Sequence, residues 1–205
     1  AGAVAGIEYH VLDNHDGGLE PTLENRKKII RLIRSYTPDL ILTHRPNDYH
    51  PDHRYISILV QDSAYMVTVP NICTDAPALS HNPVIAYLSD SFHKPTPFSP
   101  QVAIDIDDVV EKKMDMLHCH GSQMYEWLPY NSGRLEEVPQ SNQDRRKWLE
   151  HRLSRFADIA DRYRDLLIEH YGEDKGSRVR YAEAFEACEY GSTLSDENTP
   201  ILFPF

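Results

Sequence analysis

Cysteine is scarce: Cys73, Cys119 and Cys188 are the whole supply, odd in number and far apart. No C-x-x-C pair exists, which excludes a zinc knuckle and a disulfide framework and leaves idle or buried thiols of a reducing compartment. Long apolar runs are missing too, and none approaches the roughly 20 residues that span a bilayer. Basic charge is in short supply, 21 Lys and Arg against 32 Asp and Glu, for a formal net charge of −11. Such a chain repels a nucleic-acid backbone on average. Its basic residues at 145–147 and 152–164 alternate with acids, as on a solvated helix face. Nucleic acid and membrane are therefore not expected as partners. The opening AGAVAGIEYHVLD has neither a charged start nor a cleavage-site pattern, so it does not read as a signal peptide, and the expected location is the cytoplasm.

What is present is the pattern of an ordinary globular domain, 205 residues with 40% hydrophobic and 26% charged side chains. Ala1 to Gly6 reads as the end of a helix and Ile7 to Leu12 as a strand. Thr22 is a helix N-cap, and Leu23, Ile29, Ile30, Ile33 and Tyr36 keep helical spacing until Pro38. Residues 39–43 form a continuous apolar run, as expected of a strand covered on both faces. Pro51 suits the first turn of a helix running to about Met66. Further strands are predicted at 84–88 and 101–106, a helix capped by Asp107 through about His120, and a long amphipathic helix over 142–171. Strands alternating with helices predict an α/β sandwich with a mainly parallel sheet, as a single domain over 1–205. In such sheets ligands gather beyond the carboxyl ends of the strands. The Pro-rich stretch 91–100 and the loop 121–141 are candidates for walling a pocket there.

The stretch THRPNDYHPDH, Thr43 to His53, follows the strand at 39–43 and packs three histidines and two aspartates into eleven residues. A hydrolytic zinc site needs about three protein ligands and an open position for water, and imidazole is a favoured donor. A second imidazole that is not a ligand can stabilise an oxyanion or protonate a leaving amine. A carboxylate between them can receive a ring N–H and hold the tautomer. The motif offers one ligand, one proton-handling histidine and one orienting carboxylate. It is not the H-E-x-x-H of zinc proteases. Around it, Asp16 is a turn residue that can meet a polar group of a ligand, His120 ends the helix that begins near 107, and Tyr49, Tyr125 and Trp127 are candidates to stack on a ligand ring.

LILTHRPNDYHPDHR resembles the second signature of the LmbE-like/PIG-L family of zinc-dependent de-N-acetylases. LDNHDGGLEPTLENRKKIIRLIRSYTPD, KKMDMLHCHGSQM and YAEAFEACEYG resemble other family segments. The resemblance implies a Rossmann-like α/β fold and a Zn2+ site that removes N-acetyl groups from amino sugars or their conjugates. By position it makes His53 a zinc ligand, His50 the histidine that assists as acid or oxyanion stabiliser, and Asp52 its neighbouring carboxylate. Asp16, which can meet a sugar hydroxyl, and His120 stand as substrate-binding candidates, with Tyr49, Tyr125 and Trp127 as candidates to stack on a sugar ring, the substrate being a small N-acetylated sugar or glycoconjugate. The family's other ligands and its general base come from an N-terminal Ala-His-Pro-Asp-Asp-like motif that this sequence does not contain. The expectation is therefore a domain lacking its first strand and helix. A non-catalytic carbohydrate- or metal-binding relic of the fold, and a zinc hydrolase of another amide or ester, stay open as alternatives. Self-association into a homo-oligomer through the long helices is a further expectation.

Overall fold

Thr22 begins the first long helix as its side chain predicts, with Oγ1 accepting the Asn25 backbone N–H at 3.2 Å. The helix ends at Thr37, which takes φ 45° and ψ 51° and donates its N–H to Ile33. A residue before proline is pushed out of the right-handed helical region, so Pro38 enforces this stop. The computed structural model describes residues 1–205. Along the chain the elements are α1 (Gly2–Ala5), α2 (Leu23–Tyr36), β1 (Leu40–Thr43), α3 (Pro51–Met66), β2 (Val84–Leu88), β3 (Val102–Asp105) and α4 (Val110–His118). They continue with α5 (Leu128–Asn131), α6 (Asn142–Trp148), α7 (Leu153–Arg162), α8 (Arg164–Tyr171), α9 (Glu173–Gly176), β4 (Ala182–Ala187) and α10 (Thr199–Leu202). No helix is long and apolar enough to cross a membrane.

The chain forms two compact units. The first, residues 13–104 with 184–205, carries the sheet, whose strand order is β1-β2-β4-β3. β1 and β2 pair in parallel, Leu40 opposite Val84 and Thr43 opposite Tyr87. β2 and β4 pair antiparallel, Ala86 opposite Ala187 and Leu88 opposite Phe185. The α/β class is as expected, with the parallel character in β1–β2 and β4 making the sheet mixed. One face is covered by Ile29, Ile30 and Ile33 of α2 and Leu59, Val60 and Ala64 of α3, packed with Ile85 and Tyr87 of β2. Each fully buried aliphatic side chain there contributes roughly 1.5–3 kcal/mol. β1 differs from the expected fully covered strand. It lies at the sheet edge, and Leu42 is 43% exposed.

The second unit, residues 1–12 with 105–183, is mostly helical, with Met114, Met124, Tyr125, Val138 and Leu149 as a core. Three sequence expectations are corrected here. Ile7 to Leu12 alternates like a strand but has no ladder partner, and it lies without regular structure, exposed throughout. Asp107 does not cap a helix. Its carboxylate accepts the backbone N–H groups of Arg180 and Tyr181, and α4 starts later, at Val110. The long helix over 142–171 is broken by a 3-10 turn at Leu149–Arg152 and again at Tyr163. At the second break Arg164 turns its guanidinium to the carbonyls of Gly176 and Val179. The stretch 121–141, expected as loop, is largely helical turns, with a π-helix over Gln123–Trp127.

Candidate functional site

The segment between β1 and α3 leaves the carboxyl end of a parallel strand, the place the fold offers for ligands. Thr43 closes β1 buried, and His44 to His50 then form the loop. His50 is the N-cap of α3, its Nδ1 accepting the backbone N–H of Asp52 at 3.3 Å, with Pro51 in the first turn where its missing N–H costs nothing. An Nδ1 that accepts is bare, so the ring hydrogen of His50 sits on Nε2. That Nε2 lies 3.9 Å from Oδ1 of Asp16, whose side chain is almost wholly exposed.

His53 comes one turn into α3. Its Nδ1 is 3.0 Å from Oδ1 of Asp48, and the same oxygen accepts the backbone N–H of His50 at 2.9 Å. His44 Nδ1 is 3.9 Å from the other oxygen of Asp48. The rings of His44 and His53 stack, and Tyr49 presents itself edgewise to His53 at 5.5 Å and to His50 at 5.8 Å. Burial makes His44 a weaker base than usual, and the charge of His53 adds to this. Behind the loop, buried Arg45 reaches Asp90 at 3.0 Å, Glu186 at 3.2 Å and the carbonyl of Thr96 at 2.9 Å. Asn47 donates to the carbonyl of Lys94. These bonds tie the Pro-rich stretch 91–100 to the histidine loop.

Two groups of donor atoms come within 4.8 Å of one another: His44, Asp48 and His53, and Asp16, His50 and Asp52. Two imidazoles and a carboxylate are a donor set that zinc accepts. The second group is already engaged. Asp52 accepts the backbone N–H groups of Gly17 at 2.7 Å and Leu19 at 3.1 Å, and its own N–H holds Nδ1 of His50. In the first group Asp48 Oδ1 is also taken, by the backbone N–H of His50 and by Nδ1 of His53, so His44 and His53 are the donors it offers an ion. Asp52 therefore anchors the turn at 16–19 instead of receiving a histidine ring, and the carboxylate that does contact a ring is Asp48. The sequence pattern did not single out Asp48 among the motif's carboxylates, and it passed over Arg45. The signal for Asp48 was its five-residue lead on His53.

His120 lies in the other unit, exposed just beyond α4, with its backbone N–H on the carbonyl of Leu117 and its own carbonyl accepting from Met124. Nearby, His118 Nδ1 is 2.6 Å from the hydroxyl of Tyr125. Tyr125 is buried in that unit's core, which corrects its expectation as a sugar-stacking ring, whereas Tyr49 and Trp127 are exposed.

An α/β fold with a histidine and aspartate cluster after a parallel strand puts candidate ligands where such sheets gather them, and comparison with known proteins adds what the fold alone does not say. Residues 1–64 match the family described as PIG-L: GlcNAc-PI de-N-acetylase. A diacetylchitobiose deacetylase of Thermococcus kodakarensis is 32% identical over 133 residues, 60% of this chain and 48% of that protein. The chain thus spans about half the length of the curated relative it matches. Among solved structures, the N,N'-diacetylchitobiose deacetylase of Pyrococcus horikoshii aligns with a TM-score of 0.60 at 21% identity, covering 92% of this chain and 60% of that one. The 4-carboxy-2-hydroxymuconate hydratase of Pseudomonas putida aligns with a TM-score of 0.64 at 16% identity, covering 95% and 70%. At these identities the structures show a shared fold, one that hosts both a deacetylase and a hydratase. The likeness to the LmbE-like/PIG-L family carried by the motifs is the likeness the comparisons return.

Proposed function

We propose that the chain belongs to a zinc-dependent hydrolase that removes an N-acetyl group from an amino sugar or glycoconjugate. In this reading residues 1–205 are one LmbE-like deacetylase domain. The carrying observation is that His44, Asp48 and His53 bring their donor atoms within 4.8 Å, beside a His50 whose ring hydrogen sits on Nε2. His53 is the ligand, with Asp48 and His44 next to it. The chemistry a zinc ion supplies when bound is Lewis acidity toward the amide carbonyl and toward water.

Hydrolysis adds one water across the amide, breaks the C–N bond, and yields acetate and the free amine. His50 is placed to donate its Nε2–H to the carbonyl oxygen as that oxygen gains charge. The cap bond from Asp52 keeps its Nδ1 bare, which favours this role over protonating the amine. Asp52 serves His50 through its backbone N–H and holds the turn that carries Asp16. Asp16 is proposed to meet a sugar hydroxyl. His120 is proposed for the same task on the strength of the His-Gly-Ser-Gln sequence alone. The name of the Thermococcus relative makes diacetylchitobiose the first substrate to try. Three free cysteines accord with a reducing cytoplasm as the place of action, and self-association of the chain is part of the proposal.

The test is acetate release from N,N'-diacetylchitobiose by the zinc-loaded protein. Release that stops on adding a chelator and in His50→Ala supports the reading. No release above the blank, with zinc binding verified, overturns it.

A further inference from the structure

We propose that Asp48 is a positioning residue that fixes the tautomer of His53, keeping hydrogen on Nδ1 and leaving Nε2 bare for a cation. The Asp48 side chain is 9% exposed, and Oδ1 serves two nitrogens at once, the backbone N–H of His50 at 2.9 Å and Nδ1 of His53 at 3.0 Å. An ionised carboxylate can only accept, so the ring nitrogen facing it carries the hydrogen. Asp48 is held in turn, its carbonyl accepting from the Arg54 guanidinium at 2.9 Å.

The ring it orients has little freedom. One face of His53 lies against His44, centroids 3.9 Å apart and planes 1° from parallel, and Tyr49 stands edgewise to it. His50, three residues earlier, is set the opposite way, because Asp52 N–H donates to its Nδ1. Two histidines of one short motif are thus held in opposite tautomers. His53 presents a lone pair and His50 presents an N–H, and each choice is made by a hydrogen bond to the nitrogen turned away from the reactants. An outer carboxylate of this kind fixes ring orientation and raises ligand basicity. The consequence for metal binding rests on the reading of His53 as a ligand; the tautomer itself does not.

The test reads the tautomer directly. Uniformly 15N-labelled protein, stripped of metal with a chelator, is examined at about pH 8, where histidine is neutral, by long-range proton–nitrogen correlation. His53→Gln identifies the His53 signals. The expected result is protonated Nδ1 and bare Nε2 on His53, reverting toward the Nε2–H form of free imidazole in Asp48→Ala. Asp48→Leu is the second variant should Asp48→Ala fail to fold. Its side chain offers the ring no acceptor, so the preference is lost there too. An Nε2–H form in the parent, or an unchanged Nδ1–H form in whichever variants fold, overturns the proposal.

A zinc competition titration separates the two layers. Asp48 variants are expected to bind zinc roughly 10–100-fold more weakly, and His53→Ala to lose tight binding. If His53→Ala binds zinc like the parent, the ligand reading fails whatever the tautomer. If His53→Ala loses zinc while the Asp48 variants bind it unchanged, the positioning role fails alone.

Discussion

His44 and His53 lie face to face, their ring centroids 3.9 Å apart and their planes within 1° of parallel. Two stacked imidazoles cannot both take up protons without repulsion. His44 is already held below the ordinary basicity near 6.5, first by burial and then by His53, with Asp48 and Asp90 opposing. A base weakened on folding is protonated more readily in the unfolded chain. The unfolded state then binds more protons as pH falls through about 6.5, and stability declines with it. Chemical denaturation in the presence of chelator is expected to show this loss between about pH 7 and 5, and His44→Gln to lose less than the parent. Equal slopes for parent and variant would remove His44 from the account.

His50 and His53 sit three residues apart yet are assigned different tasks, so their substitutions should separate. His53→Ala is expected to abolish tight zinc binding. His50→Ala is expected to keep the metal and lose turnover by roughly 10²–10⁴-fold, the usual worth of a positioned proton donor. Metal content by mass spectrometry together with acetate release distinguishes the cases. Unchanged zinc in His53→Ala would defeat the ligand assignment, and near-normal deacetylation by His50→Ala would defeat the donor role.

Much of this scaffold was legible because it depends on local chemistry. Thr22, Pro38 and Pro51 bound α2 and α3 where their capping and φ preferences dictate, and the run 84–88 is β2. β4 was not legible. Its sequence AEAFEA is rich in helix formers, and only the burial of Ala182, Ala184 and Phe185 makes it a strand. At the site, the His-Pro-Asp-His spacing pointed to metal chemistry, but not to which aspartate serves which histidine. That pairing depends on the turn at 16–19 folding onto Asp52 and on the loop bringing Asp48 beside His53, contacts that spacing alone does not encode.

Arg34 is a cation buried in α2 at 4% exposure, and its guanidinium donates to six carbonyls, those of Met66, Val67, Val69, Ile72, Cys73 and Ala76. It thereby satisfies the last carbonyls of α3 and the turn after it, which a helix end otherwise leaves unpaired. Arg34→Met is expected to cost roughly 3–5 kcal/mol, the range for stripping partners from a buried polar network. Arg34→Lys, with three donors for six acceptors, should fall between. Urea midpoints measure both, and a loss below about 1 kcal/mol for Arg34→Met would show the carbonyls finding other partners.

Tyr87 on β2 donates its hydroxyl to Cys188 Sγ at 3.0 Å and accepts from Gln61 Nε2 at 3.0 Å. Burial, followed by the bond to Cys188, drives its ionisation well above the ordinary value. An acid whose pKa is raised on folding loses its proton first in the unfolded chain, so its contribution fades as pH rises past about 10. Tyr87→Phe is expected to flatten the alkaline fall in stability at some cost near neutrality. An alkaline limb identical to that of the parent would place the titrating group elsewhere.

Arg45 is 3% exposed between Asp90 and Glu186, and its third guanidinium nitrogen, Nη2, reaches the Thr96 carbonyl. Removing one member of a buried ionic group strands the others without compensation, so Arg45→Met should cost about 3–5 kcal/mol. The loss is expected to be local first. Asp90 also accepts the backbone N–H of Phe92, and Glu186 that of Ser99, so the guanidinium fastens both ends of the stretch from Phe92 to Ser99. Phe92 and Phe98 stand at its two ends, chymotrypsin sites that open when the anchors go. Limited chymotrypsin digestion of Arg45→Met should therefore cut after Phe92 and Phe98 faster than in the parent, at temperatures where both stay folded by circular dichroism. Because Asn47 of the histidine loop also holds the carbonyl of Lys94, the same variant should weaken zinc binding without touching a donor atom. Cleavage at the parent rate with unchanged zinc affinity would show that the ionic cluster does not support the site.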